Sequence, residues 1–368
     1  MSEVRRPTAG QEEDRPTGDQ AQDRRKATIR DVAAAAGVSV TTVSHVLNGV
    51  DRARVADDTR ARVREAAEAL SYTPSPLARG LRTRRTMTIG LLSDHIATTP
   101  HAGKIILGAQ ETGLEHGYVL LMFNTEGDPA TERREIKAML QYEVEGVLYA
   151  SMYHRVAGLH AELDGVPTVM LDARSEDPAI PAVVPDEVAG GRTAVNELLR
   201  AGHRRIGFAT NLDDIPATHG RLKGYQDALH AAGISFDPRL VVAGESDPGP
   251  RGGYQAARAL LALPDPPTAL FCFNDRMAMG AYRAAAELGL RIPADLSVIG
   301  FDNQEIIAAG LYPGLTTVAL PHYEMGQWAV RALLRLIESP GHGRTGTGPH
   351  LMPCPLVRRD SICPPPAA

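Results

Sequence analysis

The chain has 368 residues, enough for one small domain and one or two larger ones. Its 43% hydrophobic content includes only 6 Phe and 1 Trp, which suits an α/β protein rich in Ala, Leu and Val. No apolar run approaches the length of a membrane span, the amino terminus is too polar for a signal peptide, and three scattered cysteines form neither a disulfide framework nor a zinc motif. We therefore expect a cytoplasmic protein without a metal or cofactor.

Charge is distributed unevenly along the chain, whose formal net charge is −5. Residues 24–85 contain 13 Lys and Arg against 6 Asp and Glu, whereas residues 87–368 contain 23 against 32. A basic head attracts phosphates and releases their counterions, and an acidic body keeps the rest of the chain off a polyanion. This asymmetry indicates a nucleic acid as the partner of the head. For residues 1–26, which are polar and charged, we predict a disordered tail.

Two short helices separated by Gly37 are predicted within residues 28–48. Thr28 can cap the first helix, with Asp31 as its reciprocal partner, and Ser39 can cap the second. Each helix has one apolar face. A helix, a tight glycine turn and a second capped helix form a helix-turn-helix, whose second helix lies in the major groove of DNA. A third amphipathic helix over residues 59–70 completes a small domain that we assign to residues 27–72.

From Met87 onward, predicted strands and helices alternate. Such alternation favours parallel sheets covered by helices on both faces, and two runs of it predict two doubly wound lobes. Ligands of such folds bind beyond the carboxyl ends of the strands, so the crevice between the lobes is the expected pocket. The predicted strands are 88–92, 118–123, 146–149, 168–171, 205–209, 240–242, 269–273 and 297–301, and the predicted helices are 104–116, 130–142, 188–201, 220–232, 251–261, 276–288 and 322–338.

Polar side chains stand after several of these strands or open a helix near them. Carboxylates and amides at strand ends can bind hydroxyls, and an arginine can donate a fork of hydrogen bonds to a carboxylate or a polyol. Any single one could instead cap a helix or be solvated, and we interpret Asp275 as a cap of the following helix. The candidate effector-binding residues are Asp94, His95, Asp172, Arg221, Asn274 and Asp302.

The motifs of the chain closely resemble those of the lactose/galactose-repressor (LacI/GalR) family, over nearly the whole length from about Ala27. The resemblance implies a homodimeric transcriptional repressor that binds a palindromic operator and is controlled by a small molecule held between two lobes. The motifs are Asp31-Val-Ala, Gly37-Val-Ser, Thr42-Val-Ser and Leu47-Asn48, then Arg60-x-Arg62-Val63, Leu70-x-Tyr72-x-Pro74 and Ala78-x-x-Leu81.

The resemblance also implies a division of the rest of the chain. A hinge segment would span residues 73–86, and an effector-binding and dimerisation domain would span residues 87–368. The first lobe of that domain would comprise about 87–185 plus 315–345. The second lobe would comprise about 186–314 plus 346–368. Positions that commonly touch the effector in the family match Arg221, Asn274 and Asp302, with a looser match at Asp94 and Asp172.

The DNA contacts implied by the resemblance lie on the second helix and in the hinge. His45 replaces the arginine that is frequent in relatives, so we expect an altered half-site preference. In the hinge, Leu81 matches an apolar residue that wedges between base pairs in the minor groove. The full set of implied contacts comprises Val40, Thr41 and His45 on bases, Thr42, Ser44 and Asn48 mainly on phosphates, Thr28 and Ser39 at the helix starts, Ala78 and Leu81 in the hinge, and Arg79, Arg82, Arg84 and Arg85 on flanking phosphates.

Two departures from the family bear on the ligand. Residues 96–103 lack the Asn-Pro-Phe-Phe-like stretch of many relatives, and residues 244–249 lack an aromatic residue, which favours a sugar or polyol over a purine. Two alternatives to a repressor stay open: a two-lobed transport protein, opposed by the helix-turn-helix, and a sugar-modifying enzyme with a DNA-binding head, opposed by the lack of a catalytic motif. Residues 341–346 fit GxGxxG but follow a helix and a proline, so we expect a flexible loop and no enzymatic activity.

Overall fold

The computed structural model describes residues 27–47, 55–72, 85–95, 99, 103–244, 249–339 and 348–366. The predicted tail and hinge up to residue 84 lie outside the described residues, and so do Asn48, Ala78 and Leu81. The chain divides between Arg84 and Arg85 into two compact units. Across the described ranges, no helix is long and apolar enough to cross a membrane.

The first unit is a three-helix domain of α1 (Ile29–Ala36), α2 (Val40–Leu47) and α3 (Asp57–Ala69). Gly37 ends α1 with a φ of +64°, a conformation that glycine adopts without strain. The predicted caps are confirmed: the Thr28 amide donates to Asp31 Oδ2 at 2.7 Å, and Ser39 Oγ accepts from the Thr42 amide at 3.1 Å. The three helices enclose a small core of Val32, Ala33, Ala36, Val43, Val46, Val63 and Ala67.

The first lobe of the second unit is built on a six-stranded sheet in the order β11-β5-β4-β3-β1-β2, and all its pairs are parallel. Its helices include α4 (Gly103–Glu115), α5 (Pro129–Gln141) and α11 (His322–Glu338). Helix α11 packs directly on α4, because a Cβ at Gly108 would lie only 2.1 Å from the carbonyl oxygen of Tyr323. The strands are β1 (Thr88–Ser93), β2 (Val119–Asn124), β3 (Gly146–Val156), β4 (Thr168–Arg174), β5 (Ala182–Pro185) and β11 (His350–Met352).

The second lobe repeats this design with the order β12-β10-β9-β8-β6-β7, in which β12 alone of the described strands is antiparallel. Phe208 and Phe271 stack at 4.6 Å in its core. The strands are β6 (Ile206–Thr210), β7 (Val241–Ala243), β8 (Ala269–Cys272), β9 (Ser297–Asp302), β10 (Thr316–Ala319) and β12 (Leu356–Val357). The helices are α6 (Glu187–Arg200), α7 (Pro216–Ala231), α8 (Pro250–Leu261), α9 (Asp275–Glu287) and α10 (Glu305–Ala308).

The predicted fold class of two doubly wound lobes is confirmed, but two segments belong to the opposite lobe from the one predicted. Strand β10 pairs with β9, so residues 316–319 lie in the second lobe and not in the first. Strand β11 pairs with β5, so residues 350–352 lie in the first lobe and not in the second. Lobe membership of such short strands depends on which sheet edge accepts them, and that is a long-range property. The chain therefore crosses between the lobes after β5, after β10 and after β11.

Candidate effector cleft and DNA-binding face

The carboxyl ends of the parallel strands in both lobes border one small polar cavity, which we call the polar cage. Four of the six candidate residues meet there: Asp172 from the first lobe, and Arg221, Asn274 and Asp302 from the second. The other residues that line it from the two lobes are Met152, Tyr153, His154, Glu187, Ala217, Phe273, Arg276 and Leu320.

Arg221 is the fixed cation of the polar cage, with a side chain only 4% exposed. Its Nε donates to Glu187 Oε2 at 2.7 Å, and one terminal nitrogen lies 3.6 Å from Asp302 Oδ1. The guanidinium also stacks between the rings of Phe273 and Phe301, at 4.4 and 3.7 Å from their centroids. Burial by itself lowers the pKa of Arg221, but the charges of Glu187 and Asp302 outweigh it and the pKa is raised. The sequence analysis missed Glu187, which only its place at the start of a predicted helix could have suggested.

Asp172 is an unsatisfied buried carboxyl. It is 3% exposed, and within the described part of the chain its Oδ1 has no hydrogen-bond partner. Its φ is +52°, an uncommon left-handed conformation for a non-glycine residue. Burial, followed by the charges of Glu187 and Asp302, raises the pKa of Asp172 well above its usual range. A bound group that donates a hydrogen bond here would satisfy the carboxyl.

His154 adds a second unsatisfied group from the first lobe. Neither of its ring nitrogens has a hydrogen-bond partner among the described residues, and the same is true of Arg276 Nε across the cage. Burial, then the charges of Arg174 and Arg221, lowers the pKa of His154 to about 4. The ring is therefore neutral near pH 7 and offers one donor and one acceptor. The sequence analysis mentioned His154 only as one of several scattered histidines.

A strand irregularity explains why His154 reaches the cage. The pairing of β3 with β4 shifts register between Ala150 and Arg155, which frees the intervening residues from the ladder. Asp94 supports this bulge: its Oδ1 accepts from the Met152 amide at 3.0 Å, and its Oδ2 lies 3.4 Å from Arg155. Asp94 itself does not line the cage, and neither does the exposed His95.

The helix cap at the end of β8 is Asn274 rather than Asp275. Asn274 has an extended φ of −146°, and its Oδ1 accepts from the Met277 amide at 2.8 Å. Asp275 is instead the first residue of α9 and is fully buried, so the interpretation of Asp275 as a cap is wrong. Its carboxylate accepts from the Thr317 hydroxyl at 2.6 Å and from the Gln304 amide at 2.7 Å. It thereby fixes the loop that follows Asp302.

The exposed face of α2 carries most of the predicted DNA contacts. Val40 and Thr41 are exposed, and Ser44 and His45 lie one turn further along the same face, opposite the buried Val43 and Val46. Thr42 differs, because its hydroxyl lies 2.9 Å from Ser39 Oγ within the cap.

Arg85 does not have the expected role of a free phosphate contact. Its Nε and one terminal nitrogen donate to Glu145 Oε2 at 3.1 and 3.0 Å, and it also donates to the Tyr118 hydroxyl. Hydrogen bonds from the Met87 amide, Arg85 and Tyr118 hold the pKa of Glu145 below its usual range despite burial, so the pair is charged. Arg85 is therefore part of the second unit. No group of three or more potential metal ligands occurs among the described residues.

A helix-turn-helix unit and a two-lobed α/β unit with a polar cleft define the class of ligand-responsive transcriptional regulators. Residues 28–75 match the model of the lacI family of bacterial regulatory proteins, and residues 195–362 match a periplasmic binding protein-like domain. The chain belongs to the lacI family and is a helix-turn-helix transcriptional repressor.

Similar proteins cover most of the chain. The HTH-type transcriptional repressor CytR of Escherichia coli K12 is 36% identical over 336 residues, which are 91% of this chain and 96% of CytR. The ribose operon repressor of the same strain is 37% identical over 317 residues, 85% of this chain and 94% of that repressor. The lac repressor dimer bound to operator and the anti-inducer ONPF aligns with a TM-score of 0.75 at 27% identity, over 92% of this chain and 100% of that chain.

Proposed function

We propose that the protein binds a palindromic operator as a homodimer, and that a polyol or sugar held in the polar cage changes its affinity for that operator. The observation that carries the proposal is the set of buried, unsatisfied polar atoms that face one cavity from both lobes: Asp172 Oδ1, the ring nitrogens of His154 and Arg276 Nε. Unsatisfied buried groups are costly, and a native protein retains them where a ligand satisfies them. A ligand that contacts both lobes also favours one spacing between them.

The donors and acceptors of the cage fit hydroxyl groups. A hydroxyl can donate to Asp172 and at the same time accept from Arg276 or His154. Asp172, Glu187 and Asp302 together outnumber the cations Arg221 and Arg276, so an anionic ligand would meet net repulsion. A neutral polyol avoids this repulsion. The name of the ribose operon repressor is consistent with a sugar in this role.

The first lobe offers a surface for the second subunit. Strand β2 is the edge of its sheet, and Val119 and Met122 on it are 58% and 46% exposed. Leu107 and Leu114 on α4 are exposed as well. A long apolar edge strand invites pairing with another chain, and we place the dimer interface along β2 and α4.

In this function residues 27–72 bind DNA, residues 73–86 form the hinge, and residues 87–368 bind the effector and dimerise. On α2, Val40, Thr41 and His45 read bases, while Thr42, Ser44 and Asn48 hold phosphates, with Thr28 and Ser39 at the helix starts. In the hinge, Ala78 contacts the minor groove, where Leu81 acts as a wedge. Ligand binding changes the spacing of the first lobes and so of the paired hinges. The protein carries out no catalysis.

A screen by thermal shift tests the effector, because a ligand that binds only the folded state raises the melting temperature. We expect sugars or polyols to stabilise the full chain and free nucleobases to have no effect. Arg221→Ala and Asp302→Ala should each weaken that ligand by about 2–5 kcal/mol, the scale for stranding a charged partner. Operator binding without ligand should persist in both variants. A variant with the full ligand response would remove its residue from the site, and turnover of the sugar would favour an enzyme.

The hinge is tested separately on DNA. Leu81→Ala should lower specific operator affinity severely at fixed salt, because the wedge that bends the DNA is lost. Ligand affinity and dimerisation should be unchanged, since Leu81 lies outside the effector domain. Operator affinity equal to that of the wild type would refute the wedge.

A further inference from the structure

An apolar groove adjoins the polar cage where the chain crosses between the lobes after β10 and β11. Its cavity volume is about 640 Å³, and its apolar lining includes Ile306, Ile307, Leu320, Pro321, Tyr323 and Pro353. Asp302 and Leu320 border both spaces, so the groove and the cage are continuous. Any ligand held by Asp302 therefore lies at the boundary between a polar and an apolar compartment.

The sizes of the two spaces differ greatly. The polar cage has a cavity volume of about 30 Å³, close to the volume of one water molecule in the liquid. Sites for small molecules usually measure roughly 300–1,000 Å³, with mainly apolar walls and a few polar groups that fix orientation. The groove meets that description and the cage supplies the polar groups. The body of a bound molecule must therefore lie largely in the groove, with its hydroxyls directed into the cage.

The walls of the groove also suit an apolar occupant. Ile306 at its mouth is 85% exposed, although an isoleucine gains most when it is covered. The charged residues stand at the rim: Lys104 on α4 lies 3.8 Å from Glu305 on α10, and both side chains are more than half exposed. Charge at the rim and apolar side chains below it are typical of a site that buries an apolar group.

We propose that the effector is a glycoside, a polyol joined to an apolar or aromatic group. Its hydroxyls satisfy Asp172 and His154, and its aglycone packs against Ile306, Leu320 and Pro321. The inference rests on the proposed polyol effector and adds to it the chemistry of the second half of the molecule. A ribonucleoside and a phenyl glycoside both belong to this class, whereas a free monosaccharide does not.

Three matched pairs of compounds test the inference on the full chain: D-ribose and uridine, D-glucose and phenyl β-D-glucoside, and D-galactose and phenyl β-D-galactoside. Titration calorimetry gives the affinity of each member. We expect that, in the pair whose sugar fits the cage, the member with the aromatic group binds at least tenfold more tightly. Equal affinity within that pair would overturn the inference and leave the polyol effector intact. If none of the six compounds bound at 10 mM, both the inference and the polyol effector would be wrong.

A substitution in the groove supplies the second measurement. Ile306→Ser should reduce the advantage of the aromatic member at least threefold and leave the affinity for the free sugar unchanged. Because Ile306 is exposed, the variant should fold normally. Leu288→Ser is the matched control: Leu288 also follows a glutamate and is partly exposed, but it lies at the far end of α9 from the cage. If Ile306→Ser instead dissociated the dimer and kept the full preference for the aromatic member, the groove would be a subunit interface and the inference would fail.

Discussion

Replacing Asp172 by Asn should stabilise the ligand-free protein while it impairs effector binding. In the wild type, burial and two neighbouring carboxylates raise the pKa of Asp172, and its Oδ1 lacks a partner among the described residues. An unsatisfied buried polar group costs about 1–3 kcal/mol, and more if it is charged. Asparagine removes the charge, keeps the shape and tolerates the φ of +52° at this position.

The expected gain in the free energy of unfolding at pH 8 is about 1–3 kcal/mol, which corresponds to roughly 2–10 °C in melting temperature for a domain of this size. The gain must depend on pH. A carboxyl whose folded-state pKa is raised contributes stability below its unfolded pKa of about 3.9 and loses it as the pH rises through the folded value. The difference between Asp172→Asn and the wild type should therefore be small at pH 4 and largest at pH 8.

Denaturant unfolding of both proteins at pH 4 and pH 8 measures this difference directly. Asp164→Asn, at an exposed position of the same lobe, is the control and should change neither value. For a polyol found in the screen, Asp172→Asn should weaken binding about 10- to 100-fold, since a hydrogen bond to a charged group contributes about 1.5–3 kcal/mol. A variant that was less stable than the wild type at pH 8, or equally stabilised at both pH values, would refute the reasoning.

Three further predictions concern other parts of the molecule. Arg359→Gln removes the fork that holds the loop after β9, so it should lower the free energy of unfolding by about 1–3 kcal/mol in denaturant titrations, whereas Arg358→Gln, which loses an exposed ion pair, should lower it by less than about 1 kcal/mol; equal losses would contradict the clamp. His45→Ala should change the preference among operator variants at one salt concentration, and a uniform loss over all of them would indicate a phosphate contact instead. Val119→Asp should yield monomers in sedimentation at micromolar concentration, whereas Leu212→Asp, equally exposed on the second lobe, should leave the dimer intact; a dimeric Val119→Asp would exclude β2 as the interface.

Local signals in the sequence were sufficient for the DNA-binding head. The caps at Thr28 and Ser39 and the turn at Gly37 depend on contacts between residues at most a few positions apart. Such contacts form in any chain that carries those residues, so the pattern is readable without the fold. The alternation of strands and helices in the body is local in the same sense, because periodicity reports which face of each element is apolar.

The sequence also placed Arg221, Asn274 and Asp302 near one cleft, because the carboxyl ends of parallel strands meet at the same edge. It could not show that Glu187 pairs with Arg221, nor that a bulge delivers His154 to the same cavity. It assigned Arg85 to DNA, although that side chain pairs with Glu145.

These contacts join residues that are distant along the chain, and their partners are decided only when sheets and helices pack. The lobe membership of β10 and β11 was decided in the same way, by the sheet edge that each found. The sequence by itself thus determined the class of the protein, the helix-turn-helix and the strand ends that carry the site. Only the tertiary structure decided which side chains complete the cage, because burial and unsatisfied hydrogen bonds are properties of packed neighbours and not of sequence position.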